Sequence, residues 1–359
     1  MTYQEAYQKA TGELKAAGIP EPESDSWILL EHVTGMTRTR YYVDGFERMP
    51  KNEEDRFFEL VSCRKTRIPV QHLTGVQEFM GYEFAVNEHV LVPRQDTEIL
   101  VEEAEKRLLL MKKENPVKVL DMCTGSGCIP ISLKLRNLQI VIEGADISEE
   151  ALKVAEKNAK KLGVSGKWIQ TDMFENITGT FDMITSNPPY IPTKVIEELE
   201  AEVRLHDPYE ALDGKEDGLY FYRILAEKVP EYLTDGGWLV MEIGYDQSTD
   251  VEKLLKETGF EQDIFIFHTV FPMLGDGVKL ARTDKDDVAG FYNSGLGINR
   301  NDAAAFFYYN DLHVVMPVKR NLCEVQRDGA QIGIVWKLDA DVFFSFMEVF
   351  IGKCVHGCV

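Results

Sequence analysis

The sequence predicts an α/β fold: a doubly wound, Rossmann-like parallel sheet of seven strands, with a helical bundle before it and an unassigned extension after it. Two observations carry this. From residue 117 onward, short apolar runs alternate with amphipathic segments of helix length, the pattern of strand–helix–strand units in a parallel sheet. Residues 1–75 hold helical periodicities only, and residues 291–359 hold no clear period. At 359 residues the chain exceeds one ordinary domain. We divide it into a helical, substrate-docking domain (1–75), a β-hairpin linker (76–92), the sheet domain (93–290) and an appended module of unknown function (291–359). Position does not separate docking from a plain bundle at 1–75, and composition alone favours the plain bundle.

In the first unit, YQEAYQKATGELKAAGI stops at Gly18 with Pro20 beyond it. SDSWILLEHVTG opens on Ser24 or Asp25 and ends at Gly35, and NEEDRFFELVSCRKTRI is a third helix. VQEFMGYEFAVNEHVLV alternates and carries Gly81 and Asn87, so it reads as a hairpin. PRQDTEILVEEAEKRLLL opens a long helix. The seven strands are VKVLDM, IVIEGADI, KWIQTDM, FDMITSN, GGWLVMEIG, DIFIFHTV and GVKLART, with helices CIPISLKL, SEEALKVAEKNAKKLG, EDGLYFYRILAEKVPEYL and DVEKLLKETGF among them. Only FPMLGDG separates the last two strands. That is too short for a crossover, so they are expected to run antiparallel.

The net charge of −21 argues against a chain built to grip a nucleic-acid backbone, and suits a basic protein partner better. The six cysteines are too sparse for a disulfide framework and read as reduced thiols. The N-terminus lacks a signal-type apolar core, and no window reaches the roughly 20 apolar residues of a membrane span. The expectation is a soluble, cytoplasmic protein with no membrane and no direct nucleic-acid partner.

The first predicted strand ends in Asp121-Met122-Cys123-Thr124-Gly125-Ser126-Gly127. It matches neither the dinucleotide fingerprint nor the P-loop, and no Lys or Arg flanks its glycines. A tight glycine turn still lets backbone approach a ligand beyond the carboxyl ends of the strands. Asp146 ends the second strand and can accept both hydroxyls of a ribose. Asp172 ends the third and can accept from an adenine amine. Acids without cations suit a nucleoside ligand with a cationic end, such as S-adenosylmethionine. Asp146 could also simply cap the helix that follows.

The fourth strand runs into Asn187-Pro188-Pro189-Tyr190. Two prolines fix φ and hold their carbonyls rigid. Asn187 Oδ1 and the Pro188 carbonyl could each accept one proton of a substrate NH₂, and Tyr190 could stack on a planar amide. Such a site would act by positioning, with no general base and no metal.

PRQDTE (93–98), DMCTGSG (121–127), Asp146, NPPYIP (187–192), EVRLHDPYEALDGKEDGL (202–219) and GGWLVMEIG (236–244) occur in the order and spacing of the HemK/PrmC-type glutamine methyltransferases. From residue 1 to about 290 the chain resembles that family. The resemblance implies a class I methyltransferase domain that uses S-adenosylmethionine and methylates the glutamine of the Gly-Gly-Gln motif of class 1 peptide-chain release factors. It implies donor contacts from residues 123–127, Asp146, Met173 and Asn187, substrate contacts from residues 187–190, and PRQDTE lying over the donor with Arg94 and Thr97 structural. Cys123 stands where the family has glycine, and is expected to fit with a negative φ. Met173 stands where an aromatic is common and can still cover an adenine face. NPPY is shared with adenine-specific nucleic-acid methyltransferases, the alternative reading. The aromatic run AFFYYN reads as core, His206 as a loop histidine, and CVHGCV lacks the second cluster a zinc site needs.

Overall fold

The computed structural model describes residues 1–111 and 115–260 in full and, beyond them, the backbone of eight strands between Phe267 and Val335. Five helices open the chain: α1 (Tyr3–Ala16), α2 (Pro22–Thr34), α3 (Arg38–Asp44), α4 (Lys51–Arg64) and α5 (Val70–Thr74). Thr2 and Glu5 form a reciprocal capping box on α1. α2 starts at Pro22, ahead of the expected Ser24 or Asp25, because proline at the first helical position gives up an N–H that had no partner anyway. Its end matches expectation: Gly35 takes the left-handed cap. Ala10, Leu14, Leu30, Phe57 and Val61 pack the bundle core. Burying Phe57, which is 0% exposed, is worth about 1.5–3 kcal/mol.

Strands β1 (Val76–Phe79) and β2 (Tyr82–Ala85) form the hairpin, which ends at Ala85 and not at residue 92. Its two turn residues, Met80 and Gly81, both have positive φ, the primed turn that matches strand twist. Helix α6 (Asp96–Leu110) follows. Then come β3 (Val117–Met122), α7 (Cys128–Arg136), β4 (Ile140–Asp146), α8 (Glu149–Lys161), β5 (Lys167–Gln170) and β6 (Phe181–Ser186). Three short helices, α9 (Thr193–Ile196), α10 (Ala201–His206) and α11 (Tyr209–Leu212), precede α12 (Tyr220–Tyr232), β7 (Leu233–Gly244), α13 (Ser248–Glu257) and β8 (Phe267–Thr269).

The sheet runs β5-β4-β3-β6-β7-β8, all parallel. The order reverses beside β3, where such folds bind ligands. The α/β class and the N-terminal helical unit agree with the sequence. Among the described residues this sheet has six strands. The segment expected as the seventh, GVKLART, contributes β9 (Lys279–Thr283), which pairs antiparallel with β10 (Val288–Tyr292) and not with β8. A short connection favours the sequence neighbour as partner.

The chain divides into two compact units, the first holding residues 1–261 and 267–270. In the second, β9 and β10 continue through β11 (Leu296–Asn299), β12 (Ala304–Tyr309), β13 (Leu312–Pro317), β14 (Leu322–Arg327) and β15 (Ala330–Val335) as an antiparallel meander. CVHGCV and the side chains of AFFYYN lie outside the described residues.

Within the first unit, ionic contacts tie the helical bundle to the segment carrying α10. Arg64, 5% exposed, donates to Asp25 at 2.7 Å and to Glu202 at 3.0 Å, and Arg67 donates to Glu202 at 2.9 Å. Asn158 is a second tie. Its side chain donates to the carbonyls of Ala85 and Ser126 and accepts from Ala85 N–H at 2.7 Å. One buried amide therefore joins hairpin, α8 and glycine turn. Among the described residues no helix is long and apolar enough to cross a membrane.

Candidate active site

A cavity of about 740 Å³ opens at the carboxyl ends of β3, β4, β5 and β6, within the range of small-molecule sites. Its floor is the turn after β3. Thr124 N–H donates to Ala145 O at 3.0 Å, and Gly125 N–H donates to Asp146 Oδ2 at 2.8 Å. Ser148 N–H donates to Asp146 Oδ1 at 3.0 Å. Each oxygen of Asp146 thus spends one lone pair on backbone and keeps another for a ligand. Burial pushes the Asp146 carboxyl above its ordinary range, and those backbone donors oppose the shift.

Cys123, Thr124, Gly125, Ser126, Asp146, Asp172, Met173, Asn187 and Pro189 all line this cavity. The structure therefore gathers most of the residues that the sequence singled out. Asp121, Gly127, Pro188 and Tyr190 are not among its lining residues. Asp121 is 0% exposed beneath the turn. Thr185 donates to its Oδ1 at 2.6 Å, while Oδ2 has no hydrogen-bond partner. Burial pushes Asp121 up to about 7, against the pull of the Thr124 and Thr185 hydroxyls, with the neighbouring Asp146 charge adding to the rise.

Two expectations are corrected here. Cys123 was expected to have negative φ; it has φ +60. The turn between β3 and α7 imposes this φ, so a side chain sits in the left-handed region. Met173 is likewise at φ +45 and buried against the cavity. Strand β5 ends at Gln170, so Asp172 lies in the loop beyond and is exposed, not at the strand end. His206, at the end of α10, is half-buried and does not line the cavity.

Asn187 leaves the end of β6 with its side chain held. Its Nδ2 donates to Glu242 Oε2 at 3.0 Å and to Thr97 Oγ1 at 3.3 Å. Oδ1 is the end left for a ligand. The assignment of N and O follows from chemistry, since a carboxylate only accepts. The Tyr190 hydroxyl turns to Glu242 Oε1 at 3.4 Å. After Tyr190 the chain is clamped. Ile191 N–H donates to Leu212 O at 3.0 Å, Gly214 N–H to Ile191 O at 2.8 Å and Thr193 N–H to Lys215 O at 2.9 Å. The stretch DPYEALDGKEDG thus buttresses the turn NPPYIP, and Pro208, Glu210 and Lys215 from it line the cavity. Arg94 closes another side, donating to Asp207 at 2.9 Å. Burial raises Asp207 to about 6, and Arg94 opposes the rise.

Glu242, Gln247 and Asn158 escaped the sequence reading. Glu242 had one signal: a lone acid inside the apolar strand GGWLVMEIG. Among the described residues no cluster of three or more His, Cys, Asp or Glu could hold a metal.

Residues 5–75 match the family described as PrmC N-terminal domain, and residues 96–212 match the Methyltransferase small domain. A release factor glutamine methyltransferase of Geobacter sulfurreducens is 38% identical over 250 residues, 69% of this chain and 86% of that protein. The chain belongs to the release factor glutamine methyltransferases. Relatives of the same name in Agrobacterium fabrum (36% identical; 69% of this chain, 86% of theirs) and Bacillus subtilis (36%; 70% and 88%) match comparably. As a glutamine methyltransferase, the chain has a cavity suited to its task. It offers carboxylates and fixed backbone at the glycine turn and an oriented carboxamide at NPPY.

Proposed function

We propose that the chain transfers a methyl group from S-adenosylmethionine to the side-chain amide nitrogen of the glutamine in the Gly-Gly-Gln motif of class 1 release factors. One observation carries this reading. The amide nitrogen of Asn187 is tied back to Glu242 and Thr97, so that its oxygen remains as an acceptor at the edge of the cavity.

The donor fits the cavity. Asp146 suits the ribose hydroxyls, the backbone of residues 123–127 approaches closely, Met173 covers an adenine face and Asp172 stands near its amine. The buried, partnerless Asp121 Oδ2 favours a cation above the turn. When bound, the donor supplies a methyl carbon activated by the sulfonium charge.

An amide nitrogen is a weak nucleophile because its lone pair is delocalised. Asn187 Oδ1 and the Pro188 carbonyl accept hydrogen bonds from its two N–H groups and turn the lone pair towards the methyl. The new N–C bond takes the nitrogen lone pair, the S–C pair returns to sulfur, and the acidified nitrogen releases a proton to water. Glu242 Oε1 holds the Tyr190 ring beside the acceptor. The parallel sheet from β3 to β8 with its helices forms the catalytic domain, joined by the hairpin of β1 and β2 to residues 1–75, which dock the release factor. The reaction belongs to the cytoplasm, where termination occurs.

Tritium transfer from labelled donor to purified release factor tests the reading. Label appearing in unmethylated DNA and not in release factor would overturn it.

A further inference from the structure

Glu242 sits at the carboxyl end of β7, 3% exposed. Its Oε2 accepts from Asn187 Nδ2 at 3.0 Å and from Thr97 Oγ1 at 2.6 Å, and its Oε1 accepts from the Tyr190 hydroxyl at 3.4 Å. Thr97 is also 3% exposed. Thr97 and Asn187 line the cavity, whereas Glu242 stands behind them. Three residues from NPPY and PRQDTE therefore converge on one buried carboxyl group that does not face the cavity.

A carboxamide has a donor end and an acceptor end of nearly equal shape. Without a constraint, Asn187 could present either one to a substrate. A carboxylate accepts and cannot donate. Only one orientation of Asn187 gives Glu242 a proton, and the other sets oxygen against oxygen in a place water does not reach.

We infer that Glu242 is a positioning residue that fixes the flip of Asn187 and thereby selects an amide over an acid. The inference rests on the glutamine-acceptor reading above. With Oδ1 facing the cavity, a substrate carboxamide can donate to it. A glutamate in the same place would bring a charged oxygen against an oxygen, and the unpaired polar contact excludes it.

The test uses the full chain, labelled S-adenosylmethionine, a class 1 release factor, and the same factor with glutamate in place of the acceptor glutamine. Wild type is expected to bind the glutamine factor ~10–100-fold more tightly than the glutamate factor. In Glu242→Gln the side chain can both donate and accept, so Asn187 takes both orientations. The kcat for the glutamine factor should fall ~10–100-fold, while donor Kd stays within about threefold. The binding preference for glutamine over glutamate should shrink ~10-fold. A merely structural role for Glu242 would not move that preference. Thr97→Ser, which keeps the hydroxyl, should retain the wild-type preference.

If Glu242→Gln does not fold, as judged by thermal unfolding, Thr97→Val decides. With one anchor gone, the preference should shrink in the same direction by roughly threefold. A wild-type preference in Glu242→Gln, or in Thr97→Val when the first does not fold, overturns the inference while leaving the proposed reaction standing. A wild-type chain that methylates no release factor sinks the reaction and the inference with it.

Discussion

Gln247 donates its side-chain amide to the Tyr190 carbonyl at 2.9 Å and to the Gly218 carbonyl at 3.3 Å, and its Oε1 accepts from Gly244 N–H at 3.0 Å. One side chain thus locks the end of β7, the NPPY turn and the DGKEDG turn together. Gly218 fits only as glycine. It has φ +76, and a Cβ there would lie 2.4 Å from Tyr190 O and 2.5 Å from Gln247 Nε2. Gly218→Ala should cost roughly 2–4 kcal/mol in urea unfolding and lower kcat with it. A variant within about 0.5 kcal/mol of wild type would show that the clamp is not rigid.

Asn187→Ala removes the acceptor and leaves the glycine turn alone. Turnover should drop at least ~100-fold, with donor affinity changed only a few-fold by calorimetry. Surviving turnover would refute catalysis by positioning.

Cys123 holds φ +60 with a side chain attached. The left-handed region costs a non-glycine residue about 1–2 kcal/mol, and the freer unfolded chain of a glycine takes back about 0.4–1. Cys123→Gly should therefore gain roughly 0.5–1 kcal/mol, while Cys123→Ala, which keeps a Cβ, should gain nothing. Equal stabilities for the two variants would count against strain at this position.

Asp121, raised to about 7, is largely protonated below that pH in the free enzyme. A cationic donor above the turn favours the ionised form, so binding releases a proton. Donor affinity should climb with pH up to about 7, by at most about tenfold per unit, and then level off. For folding the sign is opposite. The stability contribution of Asp121 is full below the ordinary carboxylate value of 3.8 and is lost as pH rises to about 7. Asp121→Asn should flatten both slopes relative to wild type. An unchanged pH profile of donor Kd would assign the slope elsewhere, Asp146 being the other raised acid.

Asn158 is 0% exposed and makes three hydrogen bonds to main chain. Asn158→Ala strands three buried backbone groups and should cost about 2–4 kcal/mol. Hydrogen exchange should locate the loosening at Ala85 and the turn of residues 123–127. Loosening elsewhere would contradict its role as a staple between them.

Much of this was legible along the chain. Strand–helix alternation, the Gly35 cap and the Gly81 turn are local features, set by residues a few positions apart. Asp146 and Asn187 could be placed at strand ends because strand length and turn signals mark where each strand stops. Glu242 could not be assigned a role in that way. Its partners Thr97 and Asn187 lie 145 and 55 residues away, and periodicity carries no information about such pairings. The backbone of Cys123 was misjudged for a related reason. Its φ is imposed by the turn that joins β3 to α7, and the turn overrides the preference of the residue it holds.

The amino-acid order alone determined the α/β class, the glycine turn and the NPPY motif, because these follow from short-range periodicity and from the stiffness of proline. Only the folded chain decided which end of Asn187 faces the cavity and that Asp121 is sealed beneath the turn. Those outcomes depend on burial and on hydrogen bonds between distant segments, which exist only once the sheet has brought its strand ends side by side.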